Sequence, residues 1–254
     1  MYNLVDLRKK TVMVVGASSG IGLATAILLS KLGAKVLLVA RNIDKLYNAL
    51  ELLEGTQNRL YCFDVEKLDE IDIFVDGVIK DNGKIDGFVY SVGEPGNRPL
   101  RQLKPSNLQE LMEINMFAFV EFVRCISKKT NYNSGMSIVG ISSVSSLEGN
   151  QGKVSYCASK GAMDAAVRAM AKELHSKGIR VNTVNPGMIN TVIYKDYIEG
   201  VSGASEDFKN MMCRQYLGLG EPEDVANLIA FLLSGAARLI TGTSVLIDGG
   251  RHTS

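Results

Sequence analysis

The sequence predicts an α/β protein: a single doubly wound domain whose seven-stranded parallel sheet is covered by helices on both faces. Compact, β-branched apolar runs alternate with longer segments of helical periodicity along the whole chain. The apolar runs are nearly continuous, as in strands buried on both sides of a parallel sheet. The chain has 254 residues and no evident linker or repeat, so we expect one dinucleotide-binding catalytic domain over residues 1–254.

The elements follow in order along the chain. Seven apolar runs are predicted as strands, at 11–17, 35–40, 59–65, 86–92, 137–143, 180–187 and 243–250. Helical periodicity follows the first run as far as Gly33, and further helices are predicted at about 68–80, 106–129, 154–176 and 223–233. The segment 190–216 mixes polar residues, glycine and aromatics. Long irregular segments are commonly functional, so we expect a substrate lid there; the alternative is a long surface excursion.

The composition predicts a cytoplasmic protein without nucleic-acid or membrane partners. The formal net charge is +1 and no long basic block occurs. The opening MYNLVDLRKK lacks the apolar stretch of a signal peptide, and no apolar run approaches the about 20 residues of a membrane span.

The four cysteines form no C-x-x-C pair and are interpreted as free thiols. The two histidines lie far apart, so no metal site is predicted.

A glycine-rich turn, VVGASSGIG, connects the first strand to the first helix. Gly16, Gly20 and Gly22 allow a tight turn and let the backbone approach a pyrophosphate. The helix N-terminus offers N–H groups and a partial positive charge to the same group, and Ser18 and Ser19 can add hydroxyl donors. The turn therefore predicts dinucleotide binding.

Two other interpretations of this turn stay open. It can be a glycine-rich connection without a ligand, and GASSG also fits the G-x-S-x-G nucleophile elbow of serine hydrolases, with Ser18 as nucleophile. That elbow normally follows several strands, whereas this turn follows the first. Its histidine would have to be His175 or His252, at a helix end and in the C-terminal tail, so the hydrolase is disfavoured.

The end of the second predicted strand bears on the kind of dinucleotide. NAD-selective sites usually have Asp or Glu there to bind the ribose 2′-hydroxyl. This chain has Ala40 followed by Arg41, and a guanidinium pairs with a 2′-phosphate. NADP(H) is therefore favoured over NAD(H). The alternatives are that Arg41 is a solvated charge, or that Asp44 serves NAD, although Asp44 better suits the N-terminus of the next helix.

Tyr156 and Lys160 stand four residues apart, and so share one face of a predicted helix. A free tyrosine has a pKa of about 10 and exchanges protons poorly near neutrality. A nearby ammonium stabilises the phenolate, so the pair predicts a lowered tyrosine pKa and a role in general acid–base catalysis. A surface Tyr–Lys pair of no function is the alternative interpretation.

In combination, four features resemble the short-chain dehydrogenase/reductase family, which has a Rossmann fold. They are the glycine turn, the Y-x-x-x-K pair, the serine-rich ISSVSS before it and the PG after the sixth predicted strand. The resemblance runs from about residue 9 to 250 and is greatest to 3-oxoacyl-(acyl-carrier-protein) reductase-like members and related carbonyl reductases. It implies hydride transfer between NADP(H) and a ketone or secondary alcohol. The alternatives are an NAD(H)-dependent sugar, steroid or alcohol dehydrogenase and a dinucleotide-binding regulatory protein.

The resemblance implies four catalytic residues. Tyr156 would be the general acid in carbonyl reduction, and Lys160 would lower its pKa and bind the nicotinamide ribose. Ser143 would hydrogen-bond the substrate oxygen, with Ser142, Ser145 and Ser146 as weaker candidates. Asn115 would hold a water in the proton relay.

The resemblance also implies a set of cofactor-binding residues. They are Gly16, Ser18, Ser19, Gly20, Ile21, Gly22, Arg41, Asp64, Val65, Ser91, Gly93, Tyr156, Lys160, Pro186, Gly187, Ile189 and Thr191. The chain departs from the family pattern at three places. Val15 replaces a threonine, Tyr90 and Ser91 replace two asparagines, and Ser19 stands where a basic residue is frequent. Arg41 alone therefore carries the preference for NADP(H).

The family's helices equivalent to 106–129 and 154–174 pair between subunits, so the resemblance implies a homodimer or homotetramer. Basic residues on these helices are candidates for contact with an acidic acyl carrier protein, or form a solvated face. They are Arg124, Lys128, Lys129, Arg168 and Lys172. The substrate is a carbonyl compound, either a small molecule or an acyl thioester, and its identity is not encoded in any pattern of the sequence.

Overall fold

The computed structural model describes residues 5–191 and 213–253, and these form the predicted doubly wound α/β fold. Seven strands make one sheet in the order β3-β2-β1-β4-β5-β6-β7, and every neighbouring pair is parallel. The strands are β1 (Thr11–Val15), β2 (Lys35–Ala40), β3 (Arg59–Cys62), β4 (Ile85–Tyr90), β5 (Tyr132–Ile141), β6 (Arg180–Pro186) and β7 (Ser244–Ile247). The order reverses between β1 and β4, where parallel α/β sheets form their ligand crevice.

Helices cover both faces of the sheet. They are α1 (Gly20–Lys31), α2 (Ile43–Glu51), α3 (Ile71–Asn82), α4 (Pro105–Met112), α5 (Ala118–Ile126), α6 (Val154–Leu174) and α7 (Pro222–Leu233). Side chains of β1 alternate between two cores: Met13 and Val15 pack with residues of α3, α5 and α6, while Val12 and Val14 pack with residues of α1, α2 and α7. This alternation explains why the strands are apolar at nearly every position.

The helix predicted at 106–129 is interrupted in the structure. Glu113–Phe117 form a π-helical turn between α4 and α5. A π-turn inserts one extra residue and releases backbone groups from the regular ladder. The buried hydroxyl of Tyr90 donates a hydrogen bond of 2.6 Å to the carbonyl of Ile114 in this turn. Tyr90, one of the departures from the family pattern, therefore stabilises the irregular helix.

Several predicted boundaries were wrong by a few residues. The first, third and fourth strands end at Val15, Cys62 and Tyr90, because the chain turns into the cleft at the carboxyl edge of the sheet. The fifth strand begins at Tyr132, five residues before the predicted start, and its pairing with β4 is irregular near Ile85. The first half of this strand contains polar residues, so a search for continuous apolar runs did not detect it.

The predicted lid at 190–216 falls mostly on residues 192–212, outside the described part of the chain. Over residues 5–191 and 213–253, no helix combines the length and hydropathy of a membrane span. The same residues contain no group of three or more histidine, cysteine, aspartate or glutamate side chains placed to hold a metal ion.

Candidate active site

A cleft of about 810 Å³ opens at the carboxyl ends of the strands, over the point where the strand order reverses. Most predicted site residues line it. They are Gly16, Ser18, Ser19, Gly20, Ile21, Arg41, Asp64, Val65, Ser91, Gly93, Ser143, Tyr156, Lys160, Pro186, Gly187, Ile189 and Thr191. Gly22 and Asn115 lie behind this lining. The topology thus brings residues from seven separate segments to one cavity of the size of a ligand site.

The glycine turn is packed so closely that side chains are excluded. Gly16 has φ of 87°, and a Cβ there would lie 2.8 Å from the carbonyl of Ser91. A Cβ on Gly22 would lie 2.1 Å from the carbonyl oxygen of Gly16. Gly22 therefore shapes the turn from behind. Ser19, the N-cap residue of α1, does not cap the helix with its hydroxyl, and it faces the cleft.

The serine-hydrolase interpretation gains no support from the site. Ser18 lines the cleft, but neither His175 nor His252 does. His175 is exposed, with Nδ1 hydrogen-bonded to the carbonyl of Lys172, and His252 is exposed near the C-terminus. No histidine of the described residues is therefore placed to activate Ser18.

At the end of β2, Arg41 is largely exposed and lines the cleft together with Glu66. The Nη1 atom of Arg41 lies 3.6 Å from Oε1 of Glu66. Asp64 accepts a hydrogen bond of 3.1 Å from the backbone N–H of Glu66 and so positions it, whereas Asp44 does not line the cleft. Sequence reasoning missed Glu66, whose carboxylate opposes the charge of Arg41. Only the pairing of β2 with β3 brings the two together.

Tyr156 lies in the first turns of α6, on the cleft wall beside Ser143. Burial raises the pKa of the Tyr156 phenol, and a hydrogen bond with Ser143 lowers it by less. The net direction is upward, so the prediction that Lys160 leaves this pKa below its ordinary value was wrong for the protein alone. The Nζ of Lys160 lies 5.9 Å from the centroid of the phenol ring, and burial, which disfavours the charged phenolate, is the largest influence on this pKa.

Lys160 is almost completely buried. Its Nζ donates a hydrogen bond of 2.7 Å to the carbonyl of Ile141, at the end of β5. Burial lowers the pKa of the Lys160 ammonium to about 8, and the negative charge of Asp164, one helical turn further along α6, raises it in part. Lys160 thus titrates close to physiological pH, where a small change of environment alters its charge.

Asn115 is buried in the π-turn and is fixed by three hydrogen bonds. Its Oδ1 accepts from the N–H of Glu94 at 2.9 Å, and its Nδ2 donates to the carbonyl of Glu94 at 3.1 Å and to Oγ of Ser159 at 2.9 Å. Both amide protons are therefore used. A Cβ on Gly93 would lie 3.1 Å from Nζ of Lys160 and 3.3 Å from Oδ1 of Asn115, so the three groups meet at one point.

A buried polar network behind Ser143 was not predicted. Asn185 donates through Nδ2 to Oδ2 of Asp164 at 2.8 Å, to Oγ of Ser146 at 2.9 Å and to the carbonyl of Ser143 at 3.3 Å. Thr183 donates to the other carboxylate oxygen of Asp164 at 2.8 Å. The network joins β6, α6 and the serine loop and fixes Ser143. The spacing of Asp164 four residues after Lys160 was the available sequence signal.

A second buried amide fixes the loop after β6. Gln215 accepts from the N–H of Met188 at 2.8 Å and donates to its carbonyl at 3.0 Å. The same amide oxygen would lie 2.4 Å from a Cβ on Gly187. Pro186, Gly187, Ile189 and Thr191 thus hold one wall of the cleft in a defined conformation.

The far end of the cleft contains polar side chains that the sequence did not single out individually as site residues, although three of them lie in the segments 94–104 and 190–216, which were expected to shape the pocket. They are Glu94, Asn97, Asn150, Gln151, Lys153, Arg214 and Arg251. They come from the loop after β4, the segment before α6 and the C-terminal part of the chain. No single motif links these segments, so only the tertiary structure reveals the group.

Comparison with known proteins gives consistent matches over nearly the whole chain. Residues 16–252 match the family model described as enoyl-(acyl carrier protein) reductase. The chain is 32% identical to the 3-oxoacyl-(acyl-carrier-protein) reductase FabG of Thermotoga maritima, over 96% of this chain and 98% of that protein.

Two solved structures are similar to the whole fold. A short-chain type dehydrogenase/reductase from Mycobacterium ulcerans has a TM-score of 0.89 at 30% identity, covering 98% of this chain and 91% of that one. A 7α-hydroxysteroid dehydrogenase complexed with NADH and 7-oxo glycochenodeoxycholic acid also has a TM-score of 0.89, at 29% identity and 98% coverage of both chains.

Proposed function

The chain belongs to the short-chain dehydrogenase/reductase family, and we propose that it is an NADP(H)-dependent reductase of ketones, acting on a 3-oxoacyl thioester or a related carbonyl compound. One observation carries the proposal. Tyr156, Ser143 and Lys160 line the same cleft as the glycine turn, so a proton donor lies beside a site shaped for a dinucleotide.

The residues present fit a nicotinamide dinucleotide. Gly16 and Gly20 have positive φ and leave the backbone of the turn open beside the N-terminus of α1, which suits a pyrophosphate. Arg41, Asp64 and Val65 would hold the adenosine end, and Lys160 with the 186–191 loop would hold the nicotinamide end. When bound, the nicotinamide would supply or accept the hydride.

The side chains of this protein would handle the proton. Ser143 would donate a hydrogen bond to the carbonyl oxygen, and Tyr156 would transfer its phenolic proton to that oxygen as the carbon becomes an alcohol. The raised pKa of Tyr156 keeps the phenol protonated, which is the form that reduction needs. The Lys160 ammonium would stabilise the phenolate that the transfer leaves, and Asn115 would keep the Gly93–Glu94 backbone against Lys160.

The preference for NADP(H) rests on Arg41, whose guanidinium suits a 2′-phosphate. Glu66 reduces this preference, since its carboxylate lies 3.6 Å from the guanidinium. NAD(H) is the alternative, and the similarity to a hydroxysteroid dehydrogenase solved with NADH favours an alcohol or steroid dehydrogenase as the second candidate function. Turnover with NADPH and NADH at equal concentration separates the two.

We also propose a homodimer or homotetramer. Phe117 and Leu108 of the α4–α5 region, together with Leu246 of β7 and Leu239, are large apolar side chains with exposed surface. Such side chains favour burial between subunits.

Contact with an acyl carrier protein would depend on Lys129, Arg168 and Lys172. The other two basic residues of these helices, Arg124 and Lys128, are paired with the acidic side chains Asp72, Asp76 and Glu121.

The function is tested by following nucleotide oxidation with a panel of carbonyl compounds. The panel contains a 3-oxoacyl thioester, a keto sugar, a 7-oxo steroid and small ketones, each offered with NADPH and with NADH. Faster oxidation of NADPH with at least one ketone supports the proposal, and faster oxidation of NADH identifies the alternative. If neither nucleotide binds in a fluorescence titration, the proposed function is wrong.

A further inference from the structure

The last residue of β4, Tyr90, binds the π-turn from inside the core. Tyr90 is completely buried, and its hydroxyl donates a hydrogen bond of 2.6 Å to the carbonyl of Ile114. The rings of Phe88, Phe119 and Phe122 surround the phenol, with centroids 5.6 to 6.5 Å from its own. Packing therefore fixes the ring, and the ring fixes the hydroxyl against the turn.

The environment of Tyr90 keeps its hydroxyl a donor. Burial raises the pKa of the phenol, so the proton stays on the oxygen throughout the physiological pH range. A π-turn departs from the regular i→i+4 pairing of helix carbonyls, so its geometry depends on partners outside the helix. The Tyr90 hydroxyl is such a partner, and without it we expect the turn to shift towards a regular helix.

The residue after Ile114 connects the turn to the wall of the cleft. Asn115 accepts a hydrogen bond of 2.9 Å from the N–H of Glu94 and donates one of 3.1 Å to its carbonyl. Glu94 follows Tyr90 by four residues, in the loop after β4. The π-turn and this loop are thus joined twice, once through the Tyr90 hydroxyl and once through the Asn115 amide. A shift of the turn would disturb both connections.

The Asn115–Glu94 connection lies against the Lys160 ammonium. A Cβ on Gly93 would lie 3.1 Å from Nζ of Lys160 and 3.3 Å from Oδ1 of Asn115. Nζ donates its hydrogen bond of 2.7 Å to the carbonyl of Ile141 on the other side. The loop after β4 and the π-turn therefore help to enclose an ammonium that is almost completely buried.

The titratable groups that face Lys160 belong mainly to its own helix. Tyr156 and Asp164 lie one turn before and one turn after it on α6. The loop after β4 also contains the carboxylate of Glu94, which is exposed. The π-turn and β5 meet the ammonium with uncharged groups, the Asn115 amide and the Ile141 carbonyl. A displacement of the π-turn therefore alters the enclosure of Lys160 and leaves the charges around it in place.

We propose that Tyr90 is a positioning residue for the proton transfer: its hydroxyl holds the π-turn so that Asn115 keeps the Gly93–Glu94 backbone against Lys160. This inference rests on the proposed function and adds a residue to its machinery. Tyr90 does not line the cleft, so it acts only through the groups that it holds. It is also one of the places where this chain departs from the family pattern.

The experiment removes the Tyr90 hydroxyl and keeps the ring, in Tyr90→Phe. The matched control is Tyr61→Phe in β3, where a half-buried hydroxyl outside the cleft lining accepts a hydrogen bond of 2.5 Å from Nδ2 of Asn82. Steady-state reduction of the ketone that the parent protein reduces fastest is followed against pH at saturating nucleotide. Independently of turnover, NMR of protein with ¹³C-labelled lysine Cε atoms gives the pKa of Lys160, whose resonance is assigned by its absence in Lys160→Met.

The inference predicts that Tyr90→Phe lowers kcat by about 2- to 10-fold, the range expected for one neutral hydrogen bond. It also predicts that the pKa of Lys160 and the alkaline limb of kcat both move to higher pH. The sign follows from the cause: burial lowers this pKa, and a looser enclosure admits water. Tyr61→Phe should lower the thermal midpoint and leave kcat, the limb and the Lys160 pKa unchanged. A fall in kcat without the pKa shift overturns the inference, as does an equal pKa shift in both variants.

The two readouts separate this inference from the proposed function. If the parent protein reduces no ketone, the proposed function is wrong, and the Lys160 resonance alone decides whether Tyr90 controls the enclosure of the ammonium. If the parent reduces a ketone and Tyr90→Phe keeps its kcat and its Lys160 pKa, the inference fails and the function stands.

A second substitution keeps the test decisive if circular dichroism shows that Tyr90→Phe does not fold. Replacement of Tyr90 by 4-aminophenylalanine keeps the ring and supplies a weaker N–H donor. It should raise the pKa of Lys160, by less than Tyr90→Phe does where both proteins fold. An unchanged Lys160 pKa in this protein would overturn the inference.

Discussion

Asn115 binds both backbone polar groups of Glu94 through its side-chain amide. Asn115 lies in the π-turn between α4 and α5, and Glu94 lies in the loop after β4. The third bond of Asn115, to Ser159, extends the connection to α6. One amide therefore joins three segments around the Lys160 ammonium. The π-turn is the part of the irregular helix that contains this amide.

Replacing Asn115 by Ala should damage both stability and turnover. The backbone N–H and carbonyl of Glu94 and the hydroxyl of Ser159 would lose their partner, and each lost intramolecular hydrogen bond costs about 0.5–1.5 kcal/mol. We expect the free energy of unfolding to fall by about 2–3 kcal/mol and kcat to fall at least tenfold, because Gly93 and Lys160 lose their fixed relation. Urea denaturation and steady-state kinetics measure the two effects. Asn227→Ala, at an exposed position of α7, should change neither.

The loss of the Lys160 charge at alkaline pH predicts that the reduction rate falls there, which gives the pH profile an alkaline limb. The pKa of Lys160 is lowered to about 8, so the ammonium is present below that pH and is lost as the pH rises through it. Asp164 raises this pKa, so Asp164→Asn should move the limb to lower pH. The pH dependence of kcat measures the shift. Glu173→Gln, an exposed acid on the same helix, should leave the limb in place; an equal shift in both variants would contradict the assignment.

The glycine turn predicts a contrast between two Gly→Ala substitutions. In Gly22→Ala the new Cβ would clash with the Gly16 carbonyl at 2.1 Å, so we expect a loss of about 3 kcal/mol or more of unfolding free energy and weaker nucleotide binding. Gly77 lies within α3, and a Cβ there meets nothing within 4 Å. Gly77→Ala should therefore stabilise the protein by roughly 0.5–1 kcal/mol. Thermal denaturation compares the two.

Arg41 and Glu66 predict opposite changes in nucleotide preference. Arg41→Ala should raise the KM for NADPH by about 10- to 100-fold, as expected for the loss of a charged hydrogen-bond donor, with little effect on NADH. Glu66→Gln should lower the KM for NADPH, because it removes a carboxylate that lies 3.6 Å from the guanidinium. An unchanged ratio of the two nucleotides in both variants would show that neither residue contacts the 2′ position.

The sequence was sufficient for the fold because its strands are buried on both faces and therefore appear as unbroken apolar runs. It was also sufficient to find the cleft lining around Gly16, Tyr156 and Pro186, since each lies at the end of a strand or near the start of a helix and these ends meet at one edge of a parallel sheet. Each of these residues belongs to a short local sequence pattern, and a short turn fixes its position at the end of its strand or helix.

Contacts between distant segments could not be predicted in the same way. Glu66 meets Arg41 only through strand pairing, and Glu148 meets Arg251 across 103 residues of sequence. The direction of the Tyr156 pKa was wrong for a related reason: helical spacing predicts that a lysine lies near, but not how much water is excluded from the phenol. The π-turn around Asn115 likewise depends on the buried hydroxyl of Tyr90.

The most direct test of the central claim is the replacement of Tyr156 by Phe. Rapid mixing of the protein with reduced nucleotide and a ketone substrate follows one turnover, and a fluorescence titration follows nucleotide binding. We predict that binding is retained and that reduction falls by about 10²- to 10⁴-fold, because the proton donor is lost and the ring is kept. Reduction at the parent rate in Tyr156→Phe would contradict the claim that this phenol supplies the proton.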